Sequence, residues 1–162
     1  MKWVLKKSNK KITKFNKEFN FSSLIGSLLN KHAINSSDEL DRFLNPSVKY
    51  FHNPFLMKGM EKSIKRIFKA ISLNETIFVL GDSDADGISA TSIIYNQLKR
   101  KGGKVKALIL NREEDGRGLS RKLIKRVIRA NAAVLITCDL GINDHDLVDF
   151  AKENGVDVII AD

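Results

Sequence analysis

Three aspartates on alternate residues, in the run Gly81-Asp82-Ser83-Asp84-Ala85-Asp86-Gly87, stand directly behind the apolar stretch Ile77-Phe78-Val79-Leu80. Carboxylates this close repel one another, so a turn that carries three of them either shares a cation or raises the pKa values of its members. Their donors are hard oxygens, which suit divalent ions. The rest of the sequence has to select the cation chemistry.

The elements that must position these groups are legible in the hydropathy pattern. From Glu75 onward, apolar strands over 76–80, 105–110, 133–137 and 156–161 alternate with helices over 88–101, 120–130 and 144–154. Gly102-Gly103 and Gly155 stand where helix C-caps belong, and Asn143 or Asp144 where an N-cap belongs. This alternation predicts an α/β fold, a parallel sheet with flanking helices built from right-handed βαβ units. Ligands of such sheets bind at the carboxyl ends of the strands. Asp82, Asp84 and Asp86 follow the first strand, Asn111-Arg112 the second, Asp139 the third and Asp162 the fourth. Four strand ends therefore direct polar groups, three of them acidic, to one edge. Helix capping is the competing account for Asp86 and Asp144.

Ahead of the sheet, residues 21–72 read as helices and connectors. Leu24, Ile25, Leu28 and Leu29 form a short helical stripe, and Ser36-Ser37-Asp38-Glu39 is a capping-box signature for a helix stopped at Asn45-Pro46. Residues 47–55 read as extended or loop. Met60, Ile64, Ile67, Phe68 and Ile71 share one helical face. The chain thus divides into a basic arm over 1–20, a small helical leader over 21–74 and a sheet domain over 75–162.

Charge follows the same division. Residues 1–70 hold 15 Lys/Arg against 5 Asp/Glu, whereas residues 71–162 hold 13 against 14, so the net charge of +9 is an N-terminal property. Seven lysines fall within the first 17 residues, near Trp3, Phe15, Phe19 and Phe21. Lysines that release counterions and aromatics that stack on bases suit a nucleic-acid strand, although a solvated basic leader has the same composition. A balance of 43% hydrophobic and 29% charged residues excludes disorder of the whole chain. No apolar run approaches the roughly 18 residues of a membrane span, and the start lacks a signal-peptide core, so a soluble cytoplasmic protein with no membrane partner is expected. The single cysteine, Cys138, excludes an internal disulfide and a cysteine zinc cluster, and reads as a buried thiol at a strand end.

Among cation chemistries, Asp82, Asp84, Asp86 and Gly87 fit the first, third, fifth and sixth positions of a calcium-binding EF-hand loop. The twelfth position is Ile93 where a bidentate Glu is required, and a strand stands where the entering helix belongs. Haloacid-dehalogenase-type phosphotransferases also place Asp-x-Asp behind a strand, but insert a turn and hairpin for which a helix from about Ile88 leaves no room.

A third family covers more of the chain. The Asp82 turn, Asn111-Arg112 with Gly116-Arg117-Gly118-Leu119-Ser120, Thr137-Cys138-Asp139-Leu140-Gly141-Ile142 and Ala161-Asp162 resemble, in order and spacing, the motifs of the DHH phosphoesterase superfamily. They are most similar to those of its RecJ-type exonucleases. Phe43-Leu44-Asn45-Pro46 and His52-Asn53-Pro54-Phe55-Leu56 resemble the helical leader of the same enzymes. Leu80, Ser83 and Arg117 depart from the family pattern, which has His in some members, Tyr and an aromatic residue at these places. The family motif continues past Asp162 with two histidines and, later, a further Asp. The chain therefore reads as the N-terminal part of a longer protein, inactive by itself.

The resemblance implies metal-dependent phosphodiester hydrolysis, as a 5′-to-3′ exonuclease on single-stranded DNA in the intact protein. It assigns Asp82 and Asp84 as ligands of two Mn²⁺ or Mg²⁺ ions and Asp139 as the bridge between them. Asp162 and Asp86 stand behind the ligands. Asn111, Arg112, Gly118 and Ser120 are the substrate-binding candidates, Arg112 as a fork on a phosphate and the glycine turn as a cradle of N–H groups. A solvated loop cation is the alternative for Arg112. A single-strand-binding protein and a helicase are implied as partners, in DNA repair and recombination. Two other activities fit part of the pattern: a DHH phosphodiesterase on oligonucleotides or cyclic dinucleotides, and a non-catalytic replisome scaffold. Relatives of the first kind lack the helical leader, and the second has no reason to retain mutually repelling carboxylates. His32, His52 and His145 read as surface or packing residues.

Overall fold

The computed structural model describes residues 19–116 and 118–162. The lysines of the arm, Trp3, Phe15 and Arg117 lie outside the described residues. Two compact units divide between Pro54 and Phe55.

In the first unit, α1 (Ser23–Lys31) starts where the Ser22 hydroxyl accepts from Ile25 N, and α2 (Ser37–Leu44) where the Ser36 hydroxyl accepts from Glu39 N. Glu39 returns a carboxylate to Asn35 N at 2.8 Å, so the expected capping signature closes in both directions. Phe19 and Phe21 stack with centroids 5.9 Å apart and pack, with Leu29, on buried Ile34 and Leu40. These two rings are partly buried against a small core. Leu24 and Leu28 of the expected stripe are exposed, at 69% and 52%. Where the sequence reads as extended or loop, Val48–Tyr50 forms a 3₁₀ turn, held by the Tyr50 hydroxyl donating to Asp41. A second such turn, Pro54–Leu56, begins on the last residue of this unit and ends in the next.

The second unit runs α3 (Met60–Ser72), β1 (Thr76–Gly81), α4 (Ala85–Arg100), β2 (Lys104–Ile109), α5 (Arg112–Asp115), α6 (Arg121–Arg129), β3 (Ala132–Cys138), α7 (His145–Glu153) and β4 (Asp157–Ala161). The strands form one parallel sheet in the order β2-β1-β3-β4. Both faces are covered, which is why β1 is buried along its whole length and reads as a continuous apolar run. Phe78, Leu80 and Leu135 face a core closed by Leu123, Ile124 and Val127 of α6 and Ala151 of α7. Ile77, Val79, Val134 and Ile136 face the opposite core, closed by Ala70 of α3 and Leu98 of α4. Fully burying each such side chain contributes about 1.5–3 kcal/mol, and the period-2 alternation fixes which residue serves which face.

Helix α3, which the sequence groups with the leader, packs on this sheet. Ala70 is fully buried, and the Arg66 guanidinium joins Glu75, Asp157 and the Ala133 carbonyl, tying the helix to the start of β1, β3 and β4. Phe68, expected on its inward face, is 58% exposed. All three histidines outside the arm are exposed, and Cys138 is fully buried at the end of β3, where burial pushes its thiol pKa up.

Two helix starts correct the sequence reading. α4 begins at Ala85, three residues before the expected Ile88, because Asp84 and not Asp86 is its cap; the Asp84 carboxylate accepts from Gly87 N at 3.1 Å. Asp86 lies in the first turn, exposed. The stretch after Asn111, expected as loop, contains the single-turn α5, capped by the Asn111 side chain accepting from Glu113 N.

Candidate metal centre

Strand order decides where a ligand can sit. The chain passes from β1 to β2 on one side and then crosses back to place β3 on the other side of β1, so the connections diverge at the carboxyl ends of β1 and β3. That divergence is the topological switch point at which open parallel sheets bind ligands. Asp82 and Asp84 follow β1 there, and Asp139 follows β3. One oxygen from each of the three lies within 4.8 Å of the others.

Backbone bonds fix this convergence. Asp82 N donates to Cys138 O at 3.2 Å, Leu110 N to Gly81 O at 2.9 Å and Asp139 N to Ala161 O at 2.9 Å, so all four strand ends are zipped one residue past the sheet. Asp139 adopts φ 61°, a left-handed conformation that aspartate tolerates better than most residues and that recurs at functional sites. Gly87 lets the α4 terminus approach the turn: a Cβ there would lie 2.6 Å from Asp82 O and 2.7 Å from Asp82 N. Gly81 is held to glycine by α4 in the same way, since its Cβ would fall 1.8 Å from the Thr91 hydroxyl.

The electrostatics separate the three carboxylates. Arg112 grips Asp82 in a fork, Nε to Oδ1 at 3.1 Å and Nη2 to Oδ2 at 2.7 Å, and holds its carboxyl below the usual aspartate range. Asp84 is lowered first by the Gly87 N–H and more weakly by Arg112, whose Nη2 lies 3.1 Å from its Oδ2. Asp139 shifts the other way, raised by partial burial and then by the charges of Asp84, Asp86 and Asp162. Burial beside like charges disfavours the ionised form of Asp139, whereas Arg112 and the Gly87 N–H favour it in its neighbours. An all-oxygen donor set of this geometry fits a hard divalent cation.

The remaining candidates are distributed around this cluster. Asp162 follows β4 and accepts from Ile142 N at 3.0 Å, bracing the loop after Asp139. Ser120 caps α6, its hydroxyl accepting from Leu123 N at 3.3 Å. Gly118 has φ 77°, and its neighbour Leu119 N donates to the Asp144 carboxylate at 3.3 Å. Asp144 thus stands at the start of α7, where the sequence placed a cap, but its carboxylate serves the loop 25 residues earlier. No local pattern announces a contact at that separation. α5 turns Arg112 back onto Asp82 and Asp84.

Residues 76–162 match the DHH family, N-terminal domain, over more than half of the chain. The chain belongs to this family. The matched stretch starts at the first residue of β1 and includes Asp82, Asp84 and Asp139. Among curated relatives, the single-stranded-DNA-specific exonuclease RecJ of Bacillus subtilis (strain 168) is 32% identical over 163 residues, covering 100% of this chain and 21% of that protein. The chain therefore spans about a fifth of that relative's length. A crystal structure of exonuclease RecJ bound to manganese superposes with a TM-score of 0.61 at 31% identity, covering 65% of this chain and 27% of that one. RecJ from Thermus thermophilus in complex with Mn²⁺ gives a TM-score of 0.58 over 93% of this chain and 20% of that one; at 21% identity it shows the shared fold alone. The expected parallel sheet with flanking helices is thereby borne out in the DHH family.

Proposed function

We propose that the intact protein is a metal-dependent exonuclease that hydrolyses single-stranded DNA from 5′ to 3′. The observation that supports this best is the convergence of Asp82, Asp84 and Asp139 at the switch point of a DHH domain whose structural neighbour binds manganese. Asp82, Asp84 and Asp139 would hold the divalent ions, Mn²⁺ or Mg²⁺, with Asp139 the residue placed to serve two of them. Bound there, the ions supply Lewis-acid activation of water and neutralise charge at the leaving oxygen. Asp162 orients the Asp139 loop through Ile142 N, and Asp86 adds negative potential from the first turn of α4. Asn111 and Ser120 shape the substrate edge by capping α5 and α6, and Gly118 leaves room for a strand to approach. Arg112 supplies a planar fork matched to a phosphate.

The proposal extends to organisation and setting: a basic arm over 1–20 that attracts the strand, a helical leader over 21–74, and the domain from 75 onward. It places the protein in the cytoplasm, in DNA repair and recombination, beside a single-strand-binding protein and a helicase. No helix among the described residues is long and apolar enough to cross a membrane. Degradation of single-stranded DNA labelled at the 5′ end, with Mn²⁺ present, tests the reading in the intact protein. Asp139→Ala is expected to abolish it; undiminished release of label by that variant would remove Asp139 from the site.

A further inference from the structure

Arg112 and a divalent cation require the same oxygens. The guanidinium covers both carboxylate oxygens of Asp82 and reaches Oδ2 of Asp84, while Oδ1 of Asp84 is taken by Gly87 N. Four of the six oxygens offered by the three aspartates are therefore engaged, three of them by one arginine. A dication and a guanidinium on one carboxylate repel each other, so the two cannot both be held at full strength. The arginine is built to leave. Its side chain is 40% exposed, it sits on a single-turn helix, and Gly116, with φ 79°, follows that helix in a position where a Cβ would meet nothing within 4 Å. The pair is open to solvent on the arginine side, and a dication shared by several carboxylates competes with it at the same oxygens.

We infer that Arg112 is a displaceable counter-ion of the metal centre: it holds Asp82 and Asp84 together until a divalent cation expels it, and expulsion frees its fork for a phosphate. This rests on the metal reading given above. It differs from that reading in assigning Arg112 a position opposed to the metal before it assists the substrate. Binding of metal and binding of phosphate are then coupled through one side chain, and by linkage each favours the other.

Mn²⁺ titrations of the intact protein, followed by the electron paramagnetic resonance signal of the free ion, separate the possibilities. Arg112→Ala is expected to bind Mn²⁺ about five-fold more tightly than the unaltered protein, because the ion pair that competes for the same oxygens is gone. Arg112→Lys, which keeps the charge without the fork, is expected to fall between them. Lys125→Ala, an exposed charge on α6, controls for net charge and is expected to leave the affinity unchanged. In parallel, the Arg112 Nε–H resonance, assigned by its loss in Arg112→Lys, is expected to shift on titration with diamagnetic Mg²⁺. Equal or weaker Mn²⁺ binding by Arg112→Ala, or an Nε–H signal that Mg²⁺ saturation leaves in place, overturns the inference. If Arg112→Ala gains nothing while Asp82→Asn still loses Mn²⁺, the metal centre stands and the counter-ion role falls. If the unaltered protein binds no Mn²⁺ that Asp82→Asn removes, both fall together.

Discussion

Gly87→Ala isolates the contact on which the metal centre is assembled. In an ordinary helix the added methyl would be worth up to about 1 kcal/mol in helix propensity. Here its Cβ would fall 2.6 to 2.8 Å from the backbone N, C and O of Asp82, where ordinary van der Waals contact begins at 3.4 Å. The α4 terminus must therefore withdraw by about 0.8 Å, the difference between 3.4 and 2.6 Å. The obstacle is backbone on both sides, one of them zipped to Cys138, so no side-chain rotation relieves it. Overpacking of this kind costs about 1–3 kcal/mol and outweighs the propensity gain. The same displacement stretches the 3.1 Å bond from Gly87 N to Asp84 and spreads Asp84 from Asp82 and Asp139. Urea denaturation followed by circular dichroism reads the stability loss, and Mn²⁺ titration reads the spread of the ligands. Gly155→Ala supplies the comparison: at φ 76° with open space it is strained by about 1–2 kcal/mol, yet lies far along the chain from the turn and leaves Mn²⁺ binding intact. A Gly87→Ala protein as stable as the parent, with unaltered Mn²⁺ affinity, would falsify the close-approach argument.

Asp139→Asn, pH and a core truncation extend the test to the charge and burial pattern. Asp139→Asn keeps the shape and suits the left-handed φ of 61°, while removing a carboxylate that its neighbours oppose. It is expected to raise the stability of the metal-free protein at neutral pH while weakening Mn²⁺ binding, and a change of the same sign in both would refute the assignment. The pH dependence has two parts. Asp139 is raised in the folded state, so its ionisation opposes folding: metal-free stability declines as pH rises through its folded pKa. Mn²⁺ affinity, which needs the ionised form, falls as pH drops through the same value, above the usual aspartate range. Asp82 and Asp84 are lowered, and their contribution is lost only as pH falls through their folded values, below that range. Urea melts and calorimetric proton release across acidic to neutral pH check both limbs. In the core, Ile77→Ala, at a position with no exposed surface between α3 and α4, is expected to cost about 2–5 kcal/mol in urea denaturation without altering which metal is bound.

Most of the sheet was legible in the sequence because its strands are buried on both faces. Continuous apolar runs such as Ile77 to Leu80, each ending in a polar residue, locate parallel strands and their carboxyl ends together. Glycines and capping residues marked the helix ends: Ser120 and Asp144 stand directly before the helices they open, and Gly155 directly after the Asn154 cap. The start of α4 was missed because Asp84 and Asp86 are equally good caps by type, and only the hydrogen bond to Gly87 N distinguishes them. Phe68 was misplaced because a helical stripe identifies a face without showing how much of it a partner covers.

By itself the sequence determined that three carboxylates would meet at strand ends, since residue order and hydrophobic period suffice to place a loop at one edge of a parallel sheet. It could not say what those carboxylates do to one another. Whether Arg112 faces solvent, a phosphate or Asp82 depends on a single helical turn across 30 residues of chain. Asp82 is lowered because that guanidinium reaches it, whereas Asp139 is raised by burial and by its acidic neighbours. Pattern fixes position along the chain, whereas Coulomb interactions and hydrogen bonds are set by distances of a few ångströms that only tertiary packing decides.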